Sequence, residues 1–380
     1  MRRTADVVVI GGGIAGITAA AALAQRGLGV LLAEQEAQLA QHTTGRSAAS
    51  FLESYGGPVV RALTRASRPR IDALAERDGV PPLLHPRSLL WVAGPDDVSL
   101  LERMTAEVSH LERLEAEEAL VLCPVLRAEV TAGAALEPDA ADIDVLALHD
   151  AERRRATEHG AVIRTGVPVA GGQRKGGGWM LDVSGDRWSA GHVVLAAGAW
   201  CDELAQRLGA RPIGLQPLRR TIAICRSPVP VDPAWPLLSD MPHTWYCKPE
   251  GPHLLLSPAD ETPSQPCDAR AEEEDVALGI ERVNAATTLG LRSVVTAWAG
   301  LRTFAPDRVP VCGPDGDVPG LWWLAGQGGY GIQTAPAMAA AFAGLLTDGH
   351  LPADLVAEGI ITADLAPTRL AVAAPTARRS

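Results

Sequence analysis

The sequence predicts an α/β protein in which a helix-covered parallel sheet is interleaved with a second, strand-rich domain. Three observations lead there. Residues 5–10 are a β-branched apolar run that passes through Gly11, Gly12 and Gly13 into an Ala-rich helical stretch at 14–26, closed by Gly27, a residue type favoured just past a helix end. Residues 28–33 follow as another all-apolar strand, the pattern of a parallel sheet with helices on both faces. Far along the chain, residues 192–198 and 321–325 repeat the buried-strand pattern on either side of many short alternating runs.

The bulk numbers set the frame. A chain of 380 residues exceeds one comfortable core, so two intertwined domains are expected. A content of 47% hydrophobic and 21% charged residues is that of a folded chain, not a disordered one. The net charge of -11 gives no basic footprint for nucleic acid or an anionic membrane, which leaves small molecules and proteins as partners. The basic residues are nearly all Arg, with Lys only at 175 and 248, which reads as compositional bias. Six cysteines are scattered without a CxxC pair or zinc spacing, so no metal is expected and a reducing cytoplasm is the expected location. Residues 1–22 begin with two Arg and then run apolar, but the glycine triplet makes them strand, turn and helix instead of a signal peptide. No apolar run reaches the 18 or so residues of a membrane span.

The remaining elements follow in order. Residues 88–93 read as a strand, 97–110 as an amphipathic helix and 114–126 as a mixed segment, so a second domain begins near 81. A helix at 143–159 and short strands at 161–163 and 168–170 return to the first, with 171–178 as a glycine-rich, solvent-facing hairpin tip. Strands at 221–225, 244–248 and 253–257 precede an acidic helix at 269–284, and an Ala-rich helix at 332–346 closes the first domain. The expected division is 1–80, 141–213 and 299–366 for the nucleotide domain, 81–140 and 214–298 for the second, and a frayed tail at 367–380.

The chemistry sits in the glycine runs. Gly11, Gly13 and Gly16 stand where a strand turns tightly, where a pyrophosphate approaches backbone, and where a helix packs on the sheet. The helix start offers free N–H groups to phosphate. Glu34, at the end of the next strand, can accept both hydroxyls of an adenosine ribose and repels a 2′-phosphate. Residues 41–49 are small and polar, suited to run beside a long cofactor. The run from Gly326 to Gly331 ends at a second helix start, where N–H donors and a positive dipole end suit the N1/C2=O edge of a reduced flavin; read alone, it serves as well for a plain loop.

These stretches, with residues 42–49, Tyr55-Gly56, 141–149, 196–202, 214–221, Tyr246, Lys248-Pro249 and 298–302, resemble the D-amino acid oxidase superfamily of flavoproteins. Within it the chain is most similar to bacterial FAD-dependent D-arginine dehydrogenase. The resemblance implies a Rossmann-like FAD-binding domain of the glutathione reductase type, interleaved with a mixed-sheet α+β substrate domain, and FAD held non-covalently. It implies cofactor contacts at Gly11, Gly13, Ala15, Gly16, Glu34, Gln35, Thr43, Thr44, Gly45, Arg46, Ser47, Ala48, Pro168, Ala197, Gly198, Gly328, Gly329, Tyr330, Gly331, Ile332 and Gln333. It also implies that Arg220 and Arg302 hold a substrate carboxylate, that Tyr55, Tyr246 and Tyr330 line the pocket, and that the Gly329 carbonyl meets the amine.

Departures from the relatives narrow the expectation. Leu89 replaces the Glu that pairs a guanidinium, and Ser50 replaces a pocket His; Glu53 is the nearby acid that remains. Gly300 stands near the place of a flavin-linking Cys, and Leu255 where an oxygen-activating Lys would be. The expected reaction is hydride removal from Cα of a D-amino acid with a neutral side chain, giving an imino acid, then 2-oxo acid and ammonia. The expected electron acceptor is a quinone or other carrier, with O2 as the alternative. Glycine or sarcosine oxidation, and a non-catalytic FAD-binding subunit, are the alternative functions.

Overall fold

The computed structural model describes residues 3–370. The strands Arg3–Ile10 and Val30–Ala33 pair in parallel from Val7 with Val30 to Ile10 with Ala33. On its other side Arg3–Ile10 runs parallel to Asp186–Leu195, ending with Ile10 beside Leu195. That long strand changes neighbours midway. Its first half pairs antiparallel with Gly178–Val183, and Val193 to Leu195 pair in parallel with Leu321–Ala325. The carboxyl ends of four strands therefore meet at one edge, where open α/β sheets bind ligands. Val7, Val8, Val9, Leu31 and Leu32 are fully buried: Val7, Val9 and Leu32 pack under helices, and Val8 and Leu31 pack in a cluster with the strand residues Trp179 and Leu181 and with Leu204 and Ala205 of the short helix Cys201–Arg207. Helix Ile14–Gln25 is buried almost all round, packed between helices Val145–Glu158 and Gly331–Thr347.

The second sheet is mixed. Its long central pair, Gln216–Arg226 and Ser293–Phe304, is antiparallel throughout, from Gln216 with Phe304 to Arg226 with Ser293. His253–Ser257, Tyr246–Glu250, Leu237–Asp240, Leu89–Ala93, Gly133–Glu137 and Glu112–Leu114 extend it outward, with one parallel step between Leu237–Asp240 and Leu89–Ala93. A small sheet of Ser50–Phe51, Ala141–Ile143 and Leu84–Pro86 joins the two domains.

Four expectations change. The expected solvent-facing tip at 171–178 is mostly strand: Val169–Lys175 runs through Gly171 and Gly172, and the turn is Gly176-Gly177, at φ 59° and 82°. The expected boundary at 298/299 falls inside strand Ser293–Phe304, so Arg302 belongs to the second sheet. The tail is ordered at its start, where Pro367–Leu370 forms a 3-10 turn and Arg369 pairs with Asp307 at 2.8 Å; the rest of it lies outside the described residues. Helix Pro58–Asp78 has no counterpart in the sequence reading. Its signals are there in retrospect: Pro58 in the first turn, Val60, Leu63, Ser67, Ile71 and Leu74 at helical spacing, and Gly79 closing it at φ 61°. Pro69 and five arginines within it break the apolar pattern that a sequence scan weighs.

Candidate functional site

At the nucleotide end, the glycines divide by role. Gly11 sits at φ 113°, and a Cβ there would lie 2.5 Å from the Ala196 carbonyl oxygen, so no other residue fits. A Cβ on Gly16 would lie 1.9 Å from the Gly11 carbonyl oxygen; Gly16 lets helix and turn touch, and its surface is not presented to a ligand. Gly13 caps helix Ile14–Gln25 in extended backbone, and the Thr44 hydroxyl accepts from the Ile14 N–H at 3.0 Å. The first turn holds no acid, so its positive end stays open to an anion. The Glu34 carboxylate accepts from the Gly12 N–H at 2.6 Å and the Glu36 N–H at 2.8 Å, which fixes it at the strand end. His149 was not singled out in the sequence. Its Nε2 lies 3.0 Å from the Gly12 carbonyl oxygen and donates to it, so the ring braces the turn from below; burial holds its pKa beneath the usual histidine range. A lone helical His carries no spacing signal.

A continuous cleft leads from Glu34 to Arg220 and Arg302. It collects every expected cofactor contact except Gly16, Gly45, Tyr330 and Gln333. Each exception has a physical reason. Gly45 is needed within its own turn, where a Cβ would lie 2.5 Å from the Ala40 carbonyl oxygen. Tyr330 is buried edge-on against Tyr55 and Phe304. The Gln333 amide is spent on the Leu52 backbone and the Thr64 hydroxyl. Arg46 lines the cleft, but its guanidinium donates to the Ala269 and Ala299 carbonyls and pairs with Asp268, so it supplies wall and not charge. Trp200, which packs against His42 with ring centroids 4.7 Å apart, is a lining residue the sequence did not mark. The donors suit a dinucleotide: open N–H groups beside glycine at one end, Glu34 at the ribose position, and a second helix start at Gly331 near the other end.

At that other end the sheet register sets the chemistry. Arg220 stands opposite Gly300 and Leu218 opposite Arg302, so both arginines point from the same sheet face as diagonal neighbours. Arg220 is 2% exposed. Its Nε donates to the Asp260 carbonyl at 2.8 Å, its Nη2 lies 3.4 Å from Glu261, and its Nη1 has no partner although buried. Arg302 donates to the Tyr55 hydroxyl at 3.3 Å and meets no carboxylate among the described residues. Burial and then Arg302 pull the Arg220 pKa below the usual range. Two desolvated cations with an idle donor need an anion between them. Gly329 touches Arg302: a Cβ on it would lie 2.9 Å from Nη1.

The tyrosines expected in the pocket cluster beside Arg302, behind the residues that line the cleft. Tyr55 packs on Tyr330 at 4.9 Å between centroids, and the buried Tyr246 hydroxyl has no partner. His243 was missed by the sequence reading; its ring lies 5.0 Å from Tyr55 and stacks on Tyr246. The expected pocket residue Leu89 is fully buried, in an apolar cluster with Ile222, Tyr246 and Leu255, and it forms wall without open surface. The expected pocket residue Ser50 lies on the small sheet opposite Asp142, outside the cleft lining, its hydroxyl buried and unpartnered. Glu53 turns away to pair with Arg68 at 3.1 Å.

Comparison with known proteins agrees with this geometry. A family model described as FAD dependent oxidoreductase (DAO) matches residues 6–345. A glycine oxidase from Geobacillus kaustophilus is 28% identical over 378 residues, covering 96% of each chain. Mitochondrial dimethylglycine dehydrogenase from Rattus norvegicus is 24% identical over 380 residues, covering 93% of this chain and 44% of its own. The crystal structure of L-proline dehydrogenase from P. horikoshii superposes with a TM-score of 0.82 at 20% identity, covering 92% of this chain and 95% of that one. These relatives are named for glycine, dimethylglycine and proline and not for D-arginine, so they support the resemblance at the level of the family. With a matching model over most of its length and a cleft suited to the dinucleotide, the chain belongs to the FAD-dependent oxidoreductases of the DAO family and takes FAD as its cofactor.

Proposed function

We propose that this flavoprotein oxidises the Cα–N bond of a small amino acid with a neutral side chain, D in configuration. The observation that carries the reading is the pair Arg220 and Arg302 on one sheet face at the end of the FAD cleft, with an idle buried Nη1 between them. A planar guanidinium matches a carboxylate bidentately, so the pair fixes one end of an amino acid and leaves its Cα to be positioned. FAD, when bound, supplies the hydride acceptor. The protein's own task is positioning: Arg220 and Arg302 orient the carboxylate, the Gly329 carbonyl is offered to the amine, and Leu89, Ile222 and Leu255 wall off water. The product is an imino acid, which water hydrolyses to a 2-oxo acid and ammonia.

The neutral side chain follows from the lack of a spare acid at the site among the described residues. Glu53 is held by Arg68, and Glu261 by Arg308 and Arg220, so neither is free to receive a guanidinium or ammonium. An unpaired buried cation costs far more than a lost methylene contact. The D configuration rests on the resemblance to D-arginine dehydrogenase, whereas the names of the glycine and dimethylglycine relatives favour a second reading, oxidation of glycine or an N-methylated glycine. The FAD is held non-covalently. Leu255, buried where sarcosine oxidases carry a Lys, offers no charge to superoxide, so a quinone or other carrier is the proposed oxidant. Free cysteines, five of six buried, suit the cytoplasm.

Anaerobic mixing with glycine, sarcosine, D- and L-alanine, D-valine and D-arginine tests the whole reading. A neutral D-amino acid should bleach the flavin's visible band, and a quinone should restore it faster than air does. Bleaching by none of them would leave a non-catalytic FAD-binding subunit, and D-arginine as the best reductant would overturn the side-chain assignment.

A further inference from the structure

His243 is held more firmly than its place in a loop suggests. Its backbone sits at φ 55°, a conformation that L residues seldom adopt, and its N–H donates to the Asp240 carbonyl at 2.9 Å. The Asp240 carboxylate accepts from the Thr244 N–H at 2.7 Å, the Trp245 N–H at 3.0 Å and the Thr244 hydroxyl. The loop from 240 to 245 is thereby fixed, and the imidazole is wedged between Tyr55, Tyr246 and Trp91.

The hydrogen bonds around the ring suit a tautomer in which Nε2 is bare. Nδ1 lies 3.2 Å from the Ser239 hydroxyl oxygen. That hydroxyl has one hydrogen, and it also reaches the Trp245 carbonyl at 3.1 Å and the Asp240 carbonyl at 3.3 Å, both of which only accept. In the tautomer in which that hydrogen goes to the Trp245 carbonyl, Nδ1 is the N–H that donates to Ser239. Nε2 is then a bare lone pair, and it is buried without a partner. No donor lies within hydrogen-bond distance of it: Trp91 Nε1 gives to the Ser54 hydroxyl, and the idle Arg220 Nη1 and Tyr246 hydroxyl do not reach it. An unpaired acceptor in a pocket otherwise crowded with donors is costly unless a ligand supplies the hydrogen.

We propose that His243 is a substrate-contacting residue whose bare Nε2 accepts an N–H from the amino group of the substrate. The proposal rests on the amino acid reading above and deepens it: two arginines take the carboxylate, and His243 joins the Gly329 carbonyl in accepting from the amine. The cations that face the ring, Arg220 and Arg302, keep it from taking a proton itself. Together with burial, which acts most strongly, they hold its pKa down to about 3, so Nε2 stays a lone pair at any working pH. The 2-oxo acid product has no hydrogen to give at that position, so the same contact favours substrate over product.

The test uses FAD-loaded enzyme and two ligands that differ by one amino group. 2-Aminoisobutyrate has no Cα–H to lose, and isobutyrate lacks the amine, so neither is oxidised at that carbon. Binding is read from the shift of the flavin's visible band, independently of turnover. The unmodified protein should bind the amino ligand more tightly. His243→Ala should weaken 2-aminoisobutyrate by about tenfold or more, the size expected for a hydrogen bond to a charged group, and leave isobutyrate within about twofold. His243→Gln, which restores an acceptor oxygen, should recover part of the loss. Equal weakening of both ligands, or no preference for the amino ligand in the unmodified protein, overturns the proposal. If no amino acid bleaches the flavin, amine oxidation fails, while the ligand comparison still decides the role of His243.

Discussion

Arg220 and Arg302 do different amounts of other work, which makes Arg302 the cleaner probe. Arg220 also restrains Asp260 and Glu261, whereas Arg302 reaches only Tyr55. Arg302→Ala should lower kcat/KM by about 2 to 5 kcal/mol of transition-state stabilisation with the flavin content unchanged, and Arg302→Lys should recover little, since a point charge cannot replace a fork. Steady-state kinetics and the ratio of visible to protein absorbance check both. If amines without a carboxylate reduce the flavin as well as amino acids do, the clamp is wrong. His243 gives a second, pH-dependent expectation. Its folded pKa, about 3, lies below the ordinary 6.5, so as pH falls from about 6.5 the unfolded chain binds a proton that the folded chain refuses. Stability is therefore lost on acidification, by at most about 1.4 kcal/mol per pH unit for this one group. The buried carboxylates Glu137, Glu152, Asp202 and Asp260, whose pKa values are raised, pull the other way, so the comparison must be between variants. His243→Gln should lose less stability than the unmodified protein between pH 7 and pH 5 in denaturant titrations; equal losses would mean that His243 titrates normally. The two arginines and the three tyrosines stand out in the sequence only through motifs that resemble a family, with the scarcity of Tyr as added support. His243 does not, since a left-handed loop residue belongs to no periodic pattern and its partners Ser239 and Trp245 meet it only in three dimensions.

Among the elements, the ones read nearly to the residue are those whose sequence pattern and burial agree. Strands Leu89–Ala93, His253–Ser257 and Leu321–Ala325 are buried along almost their whole length, and apolar runs bounded by Gly, Pro or Ser mark them. Strand Ser293–Phe304 has no counterpart in the sequence reading, and the expected domain boundary falls inside it, because its first five residues are exposed and its contact with a core begins only near Trp298. Helix Gly331–Thr347 was placed correctly, but its second function was not visible: Gln333 reaches across to accept from the Leu52 N–H at 3.2 Å and to donate to the Leu52 carbonyl at 3.1 Å and the Thr64 hydroxyl at 2.8 Å. From the other side Glu137 accepts from the Glu53 N–H at 2.6 Å and from the Ser54 N–H and hydroxyl. These two side chains hold the segment that carries Tyr55, and they tie it to the cofactor-facing helix and to the second sheet at once. Gln333→Leu should leave the Leu52 N–H unpaired and its carbonyl with only the long 3.4 Å bond from the Tyr55 N–H, and should cost about 1 to 3 kcal/mol of stability. It should also raise KM more than it lowers kcat, because Tyr55 is displaced while Arg302 stays. A variant with normal stability and a normal KM would show that the loop holds itself.

At the scale of the whole molecule, the chain crosses between the two domains several times, and the cleft is lined from both of them. Residues 10–15, 33–48, 167–169, 196–207, 220–222, 300–303 and 326–332 all contribute to its walls, drawn from both large sheets. A ligand filling it binds the folded arrangement and not the unfolded chain, so it stabilises by mass action: about 2.7 kcal/mol when free cofactor is a hundredfold above its Kd. FAD should therefore raise the melting temperature of both domains together, and the apoprotein should melt lower, with the difference growing as FAD is added. No cysteine lines the cleft; Cys201 and Cys312 are fully buried in the core, where desolvation pushes both thiols far up, and Gly300 stands where a linking thiol would have to be. His42, the imidazole in the lining, is occupied by Trp200 on its face and Glu36 at 3.0 Å on its Nε2. With no thiol in the cleft, acid precipitation should carry all of the yellow colour into the supernatant, and the refolded pellet should recover both colour and melting temperature on adding FAD alone. Flavin retained on the pellet would contradict this, and peptide mapping of the retained colour would identify the residue that holds it.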